Sequence, residues 1–192
     1  MANELPARID ALAQRGIRRV AITWVNHAGA SLVKVVPLAR FEHAVRQGVG
    51  FSPVSDAFRA DGGIDSVHGL ARPDGDLRLR ADAQSLASLE PASGWAWAAG
   101  ERFERDGSPY AGDQRLACRL QQQGLEQLGV DLQSGFELEW LVAAPDSDGR
   151  PLPVIAGGPY GADRLVEGLG YASALLDALD GAGLPWLQFH PE

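Results

Sequence analysis

A chain of 192 residues with 45% hydrophobic side chains is one large domain or two small ones, with enough apolar mass for a core. A net charge of −8 leaves no electrostatic footprint for nucleic acid or acidic membranes. The single cysteine, Cys118, excludes an internal disulfide and any cysteine-rich zinc site. No apolar run approaches the roughly 20 residues of a membrane span, and no basic start with an apolar core follows Met1, so a cytoplasmic protein is the default expectation.

Residues 6–14 form a short amphipathic helix stopped near Gly16, and residues 18–25 a strand. Asn26-His27-Ala28-Gly29 has the asparagine and glycine of a hairpin loop, and residues 31–36 return as a second strand ended by Pro37. Residues 38–47 read as a helix with Gly48 as its stop. The stretch 50–75 is rich in glycine and aspartate and reads as one long loop, a length that usually marks function or mobility. Strands are expected at 77–81 and 94–99. Residues 102–112 are polar and turn-forming and mark a domain boundary. A helix follows at 116–128, its Cys118 read as a small core residue rather than a nucleophile. Leu165, Leu169, Ala172, Leu176 and Leu179 recur at helical steps, and Gly181 and Gly183 stop them. The apolar run 184–189 reads as a buried strand that delivers Glu192 at its end. A domain seldom stops in mid-strand on a charged residue, so a truncated chain is expected.

The run Phe136-Glu137-Leu138-Glu139-Trp140-Leu141-Val142 carries the chemistry. Alternation along a strand puts Phe136, Leu138, Trp140 and Val142 on one face. Glu137 and Glu139 then share the other, roughly 6–7 Å apart. Like charges held that close are costly unless a cation or water lies between them. A fixed pair of carboxylates suits hard divalent cations such as Mg²⁺ or Mn²⁺. An edge strand with a solvated acidic face explains the same spacing. Asp146-Ser147-Asp148-Gly149 has too few ligand positions for an EF-hand and reads as a plain loop. The four histidines are scattered, and none forms a metal-spaced pair or a catalytic set. Lys34 is the only lysine and lies in no phosphate loop. If ATP is used, metal ions and arginines must hold its phosphates.

In order along nearly the whole chain, five stretches resemble the glutamine synthetase family. The hairpin at Asn26-His27-Ala28-Gly29 with Lys34-Val35-Val36-Pro37 looks like that family's N-terminal β-grasp domain. Arg72-Pro73-Asp74 is similar to its "PD" segment. Asp106-Gly107-Ser108-Pro109 with Arg115-Leu116 resembles the opening of its catalytic domain. Gly135-Phe136-Glu137-Leu138-Glu139-Trp140 looks like its "G.E.EF" strand, and Phe189-His190-Pro191-Glu192 like its "HPE" segment, in a form closer to the amine ligases.

The resemblance implies an α+β chain: a β-grasp domain over 1–105, then over 106–192 the first part of a glutamine synthetase-type catalytic domain. It implies ATP-dependent joining of ammonia or an organic amine to the γ-carboxylate of glutamate through γ-glutamyl phosphate. It also implies Mg²⁺ or Mn²⁺ and a ring-shaped homo-oligomer with active sites between subunits. Glu137 would bind the metal nearer the nucleotide, and Glu139 and Glu192 the one nearer glutamate. Tyr160 falls close to a tyrosine of the family's ammonium pocket, and Ser52 stands where that pocket takes an aspartate, with Asp56 near. An uncharged pocket suits a bulkier amine better than ammonium. With most ATP- and glutamate-binding groups of the family lying beyond Glu192, the chain as given is expected to be inactive. A non-catalytic relative that keeps the fold for interaction or regulation is the alternative.

Overall fold

The computed structural model describes residues 4–65, 75–89 and 94–191, in two compact units, Met1–Leu132 and Gln133–Glu192. In the first unit, α1 (Leu5–Gln14) opens with proline in its first turn, where the missing N–H costs nothing. It buries Leu5 and Leu12. β1 (Arg19–Val25) and β2 (Ser31–Pro37) form an antiparallel hairpin, and alternation along β1 sends Val20, Ile22 and Trp24 inward. A 3₁₀ turn leads into α2 (Phe41–Arg46), which buries Phe41 and Ala44. Gly48, at φ +74°, takes a left-handed conformation that lets the chain turn directly into β3 (Val49–Phe51).

β4 (Leu77–Ala81), β5 (Ala87–Ser88) and β6 (Trp95–Phe103) complete a six-stranded sheet ordered β2-β1-β6-β4-β3, with β5 beside β6. β6 pairs parallel with β1 and antiparallel with β4 and β5, so the sheet is mixed. Its two end strands curl toward each other: Lys34 Nζ on β2 donates to the Gly50 carbonyl on β3 at 2.8 Å. The core lies inside this curl, where Ile22, Leu79 and Phe41 are wholly enclosed. Gly100 on β6 is needed there, because a Cβ would sit 2.6 Å from a Leu79 methyl. α3 (Gln114–Gln127) is capped by the Asp113 carboxylate, which accepts from Leu116 N at 2.8 Å. Arg115 and Arg119 on its first turns pair with Asp82 and Glu101 and tie the helix to the sheet.

In the second unit, β7 (Ala143–Pro145) and β8 (Pro151–Pro153) form a hairpin. Asp146 Oδ1 accepts from the amides of Asp148 and Arg150, and Gly149 supplies a φ of +78°, so these acids shape a turn. α4 (Ala162–Glu167) and α5 (Leu169–Gly181) follow. Trp140 Nε1 donates to the Tyr171 hydroxyl at 2.8 Å, and the Trp140 ring lies 6.2 Å from that of Phe189. Among the described residues no helix is long and apolar enough to cross a membrane.

The chain is α+β, as its motifs imply, but several local expectations need correction. Residues 136–142 join no sheet: Phe136 is 93% and Leu138 77% exposed, and the stretch meets the β7–β8 hairpin at its end, where the Val142 carbonyl accepts from Val154 N at 3.1 Å. Residues 184–189 likewise form no strand, and Leu187 is 93% exposed. Cys118 is exposed, because α3 buries only Leu116. The supposed loop from residue 50 begins as a strand and a 3₁₀ turn, since Phe51 buries itself against Trp24 with ring centroids 5.0 Å apart. The single helix expected near 165–179 is two, broken at Gly168, where a Cβ would meet Ile155 at 2.7 Å. β6 runs four residues past the expected end, because Glu101 and Arg102 are buried by ion pairing. Arg72-Pro73-Asp74 and Glu192 lie outside the described residues.

Candidate functional site

Ser52 directly follows β3 and caps the 3₁₀ turn Pro53–Ala57, its Oγ accepting from Val54 N at 3.3 Å. It borders a shallow, open concavity of about 430 Å³ between the free edges of β2 and β3, lined also by Trp24, Lys34, Phe51, Val54 and Phe58. Among the described residues no carboxylate lines it, and the one formal charge is the Lys34 ammonium. Trp24 Nε1 and Ser55 Oγ, from lining residues, are themselves buried and have no hydrogen-bond partner among the described residues. Among the described residues the lining therefore offers aromatic and aliphatic surface, and no negative charge that attracts a small cation.

Behind the turn lies a buried polar cluster that sequence reasoning missed. Arg102 is fully enclosed, and its Nη1 donates to Asp56 Oδ1 at 2.6 Å. Its Nε and its backbone N both donate to Asp113 Oδ2, at 2.9 and 3.0 Å. Its Nη2 donates to the Gly112 carbonyl and to Gln114 Oε1. The second Asp56 oxygen accepts from the Tyr110 hydroxyl at 2.9 Å, and His27 Nε2 stands 3.6 Å from it. Burial and the hydrogen bond to Asp56 push the Tyr110 phenol well above its ordinary range. Asp56 is thus no free acid standing in beside Ser52: both its oxygens are engaged inside the protein. Only its position near Ser52 was visible beforehand, because its partners lie 46 and 54 residues away in sequence.

The second unit holds the other candidates. Glu137 and Glu139 lie on the exposed, unpaired stretch before β7. Their oxygens are the hard donors Mg²⁺ or Mn²⁺ prefers, so their chemistry fits such an ion. Among the described residues no group of three or more His, Cys, Asp or Glu is gathered to complete a shell, and Glu192, the expected third ligand, is outside them. Tyr160 takes a left-handed backbone at φ +58°, rare for a bulky residue. Its N–H donates to the Pro191 carbonyl at 2.7 Å, and its ring stacks on His190 with centroids 4.9 Å apart. The unit thereby brings Tyr160 against the His190-Pro191 segment, which directly precedes the expected ligand Glu192 in sequence.

No family model matches the chain. It is 39% identical over 183 residues to the gamma-glutamylpolyamine synthetase GlnA3 of Streptomyces coelicolor, across 94% of this chain and 39% of that protein. It is 26% identical over 147 residues to a glutamine synthetase of Methanosarcina mazei, across 74% of this chain and 30% of that one. A solved structure described as a novel glutamine synthase homolog superposes with a TM-score of 0.71 at 20% identity, over 92% of this chain and 41% of its own, a likeness of fold. The chain therefore spans about two fifths or less of the relatives it matches.

Proposed function

Because the chain belongs to the glutamine synthetase family, we propose that it forms part of an ATP-dependent ligase joining an amine to the γ-carboxylate of glutamate. The observation that carries this reading is the 39% identity over 94% of the chain to a γ-glutamylpolyamine synthetase. The domains would be a β-grasp over 1–105 and the opening of the catalytic domain over 106–192, in a ring-forming, cytoplasmic enzyme.

In this reaction a γ-carboxylate oxygen of glutamate attacks the γ-phosphorus of ATP, and ADP leaves. The neutral amine nitrogen then attacks the acyl carbon, the bond to phosphate breaks, and the nitrogen gives up a proton. Glu137, Glu139 and Glu192 would hold Mg²⁺ or Mn²⁺, which when bound offsets phosphate charge. By the family resemblance, Tyr160 of one subunit and Ser52 of a neighbouring subunit would border the amine. The concavity beside Ser52, with no carboxylate among its described lining residues, supports an organic amine over ammonium, since an opposite charge 4 Å from a cation is worth about 4 kcal/mol at an effective dielectric near 20.

The test is to incubate the full-length gene product with ATP, Mg²⁺, glutamate and a panel of ammonium, methylamine, ethanolamine and putrescine, and to follow phosphate release. Release that needs both glutamate and an organic amine is expected. Release with no amine and no glutamate, or none under any condition, would overturn the reading. Ammonium as the best substrate by a wide margin would overturn its amine part alone.

A further inference from the structure

The turn that presents Ser52 is held by more directional bonds than a surface turn needs. From the β1–β2 hairpin, Asn26 is wholly buried, and its Nδ2 donates to the carbonyls of Ser55 at 3.1 Å and Phe58 at 2.9 Å. Its Oδ1 accepts from the amides of Ala28 and Ala30, so the side chain is saturated and cannot swing away. From β6, Arg102 grips Asp56, and from the segment before α3, Tyr110 does the same. Three separate parts of the fold thus converge on residues 55–58.

Two buried carboxylates and one guanidinium are a poor way to gain stability, because desolvation offsets most of the attraction and apolar side chains of similar size do as well. What such a cluster supplies is direction. Its forked bonds fix the orientation of the turn about its own axis, which packing alone leaves loose. It also keeps the Asp56 carboxylate inside the protein, four residues from Ser52, and so out of the concavity.

We infer that Arg102, with Asn26 and Tyr110, is a positioning residue for the second substrate: it sets the place of Ser52 and withholds Asp56 from the amine. The inference rests on the proposed reading of Ser52 as part of the amine pocket.

Two measurements test it on Arg102→Lys, Asn26→Asp and Tyr110→Phe. The last removes a single hydroxyl and keeps the test alive should the first two fail to fold. In the chain itself, amide hydrogen exchange at Val54, Phe58 and Asp65, whose N–H groups bond within this region, is expected to rise about tenfold or more, while amides of α1 and α2 are unchanged. In the full-length enzyme, KM for the amine is expected to rise about tenfold while KM for ATP and glutamate and the kcat stay near their starting values. Unchanged exchange in all three variants overturns the clamp and leaves the proposed amine pocket standing. Faster exchange with an unchanged amine KM shows instead that Ser52 is remote from the amine, which overturns the reading beneath the inference. A uniform fall in kcat with every KM unchanged reduces the cluster to general support and also overturns it.

Discussion

The turn 52–58 and the stretch 136–142 both carry site residues, and the chain treats them in opposite ways. The first is gripped from inside by Asn26, Arg102 and Tyr110, so its geometry is complete within one chain. The second places two carboxylates among apolar side chains that face solvent, with Phe136 93% exposed and no strand paired beside it among the described residues. A buried charge is meaningful only where every partner is present, whereas a strand's alternating pattern can be written without its neighbour. Internal saturation fixes one group; exposure leaves the other to be fixed by an ion or by further protein surface.

The strongest way to break this contrast is to remove the cation at the centre of the first region. Arg102→Met strips the guanidinium from the buried carboxylates of Asp56 and Asp113, and should cost about 3–5 kcal/mol in urea unfolding of the chain. Glu137→Gln and Glu139→Gln should shift the same curve by no more than about 0.5 kcal/mol. Equal effects in both regions would erase the distinction. In the full-length enzyme the roles reverse: either glutamine should lower kcat at least about a hundredfold, with Mg²⁺ dependence altered, as expected when a charge beside a metal–phosphate clamp is lost. Near-normal rates in both variants would make the pair a solvated acidic face.

Ser52→Asp should restore a negative charge to the concavity and shift kcat/KM toward ammonium by about ten- to a hundredfold relative to ethanolamine, a fraction of the full Coulomb energy. No shift would place Ser52 away from the amine. The smallest effect concerns pH. The phenol of Tyr110 ionises only well above its ordinary range while folded, so its contribution is intact below the free tyrosine value and is lost as pH rises beyond it. Unfolding curves collected upward from neutral pH should show declining stability in the alkaline range, and Tyr110→Phe should flatten that decline after a loss of about 1 kcal/mol at neutral pH. An identical alkaline decline in the variant would assign it to other groups.

What could be read beforehand follows the same division. The elements 5–14, 19–25, 31–37 and 77–81 announce themselves through local alternation and through glycines at their ends, because their burial faces follow from the backbone period. Arg102 looked like part of a polar turn, since charge in a sequence reads as surface until its partners are known, and Asp56 lies 46 residues away. The 136–142 pattern was read correctly as alternation and wrongly as a packed strand, because pairing is a property of two segments and only one is written there. Ser52 and Tyr160 became candidates through family resemblance; their residue types alone carry no such signal.

β6 has a consequence for how the first unit comes to exist. Residue 19 lies opposite residue 95 in the parallel ladder, and residue 78 opposite residue 103. Most of the sheet therefore has no central member until the last strand emerges from the ribosome. The β1–β2 hairpin can form early, but the loop between β1 and β6 must close before the interior exists, an entropic barrier that makes such topologies slow to assemble. Nascent chains released before residue 103 would hold Val20, Ile22 and Leu79 without a lid, and would be the species that chaperones meet.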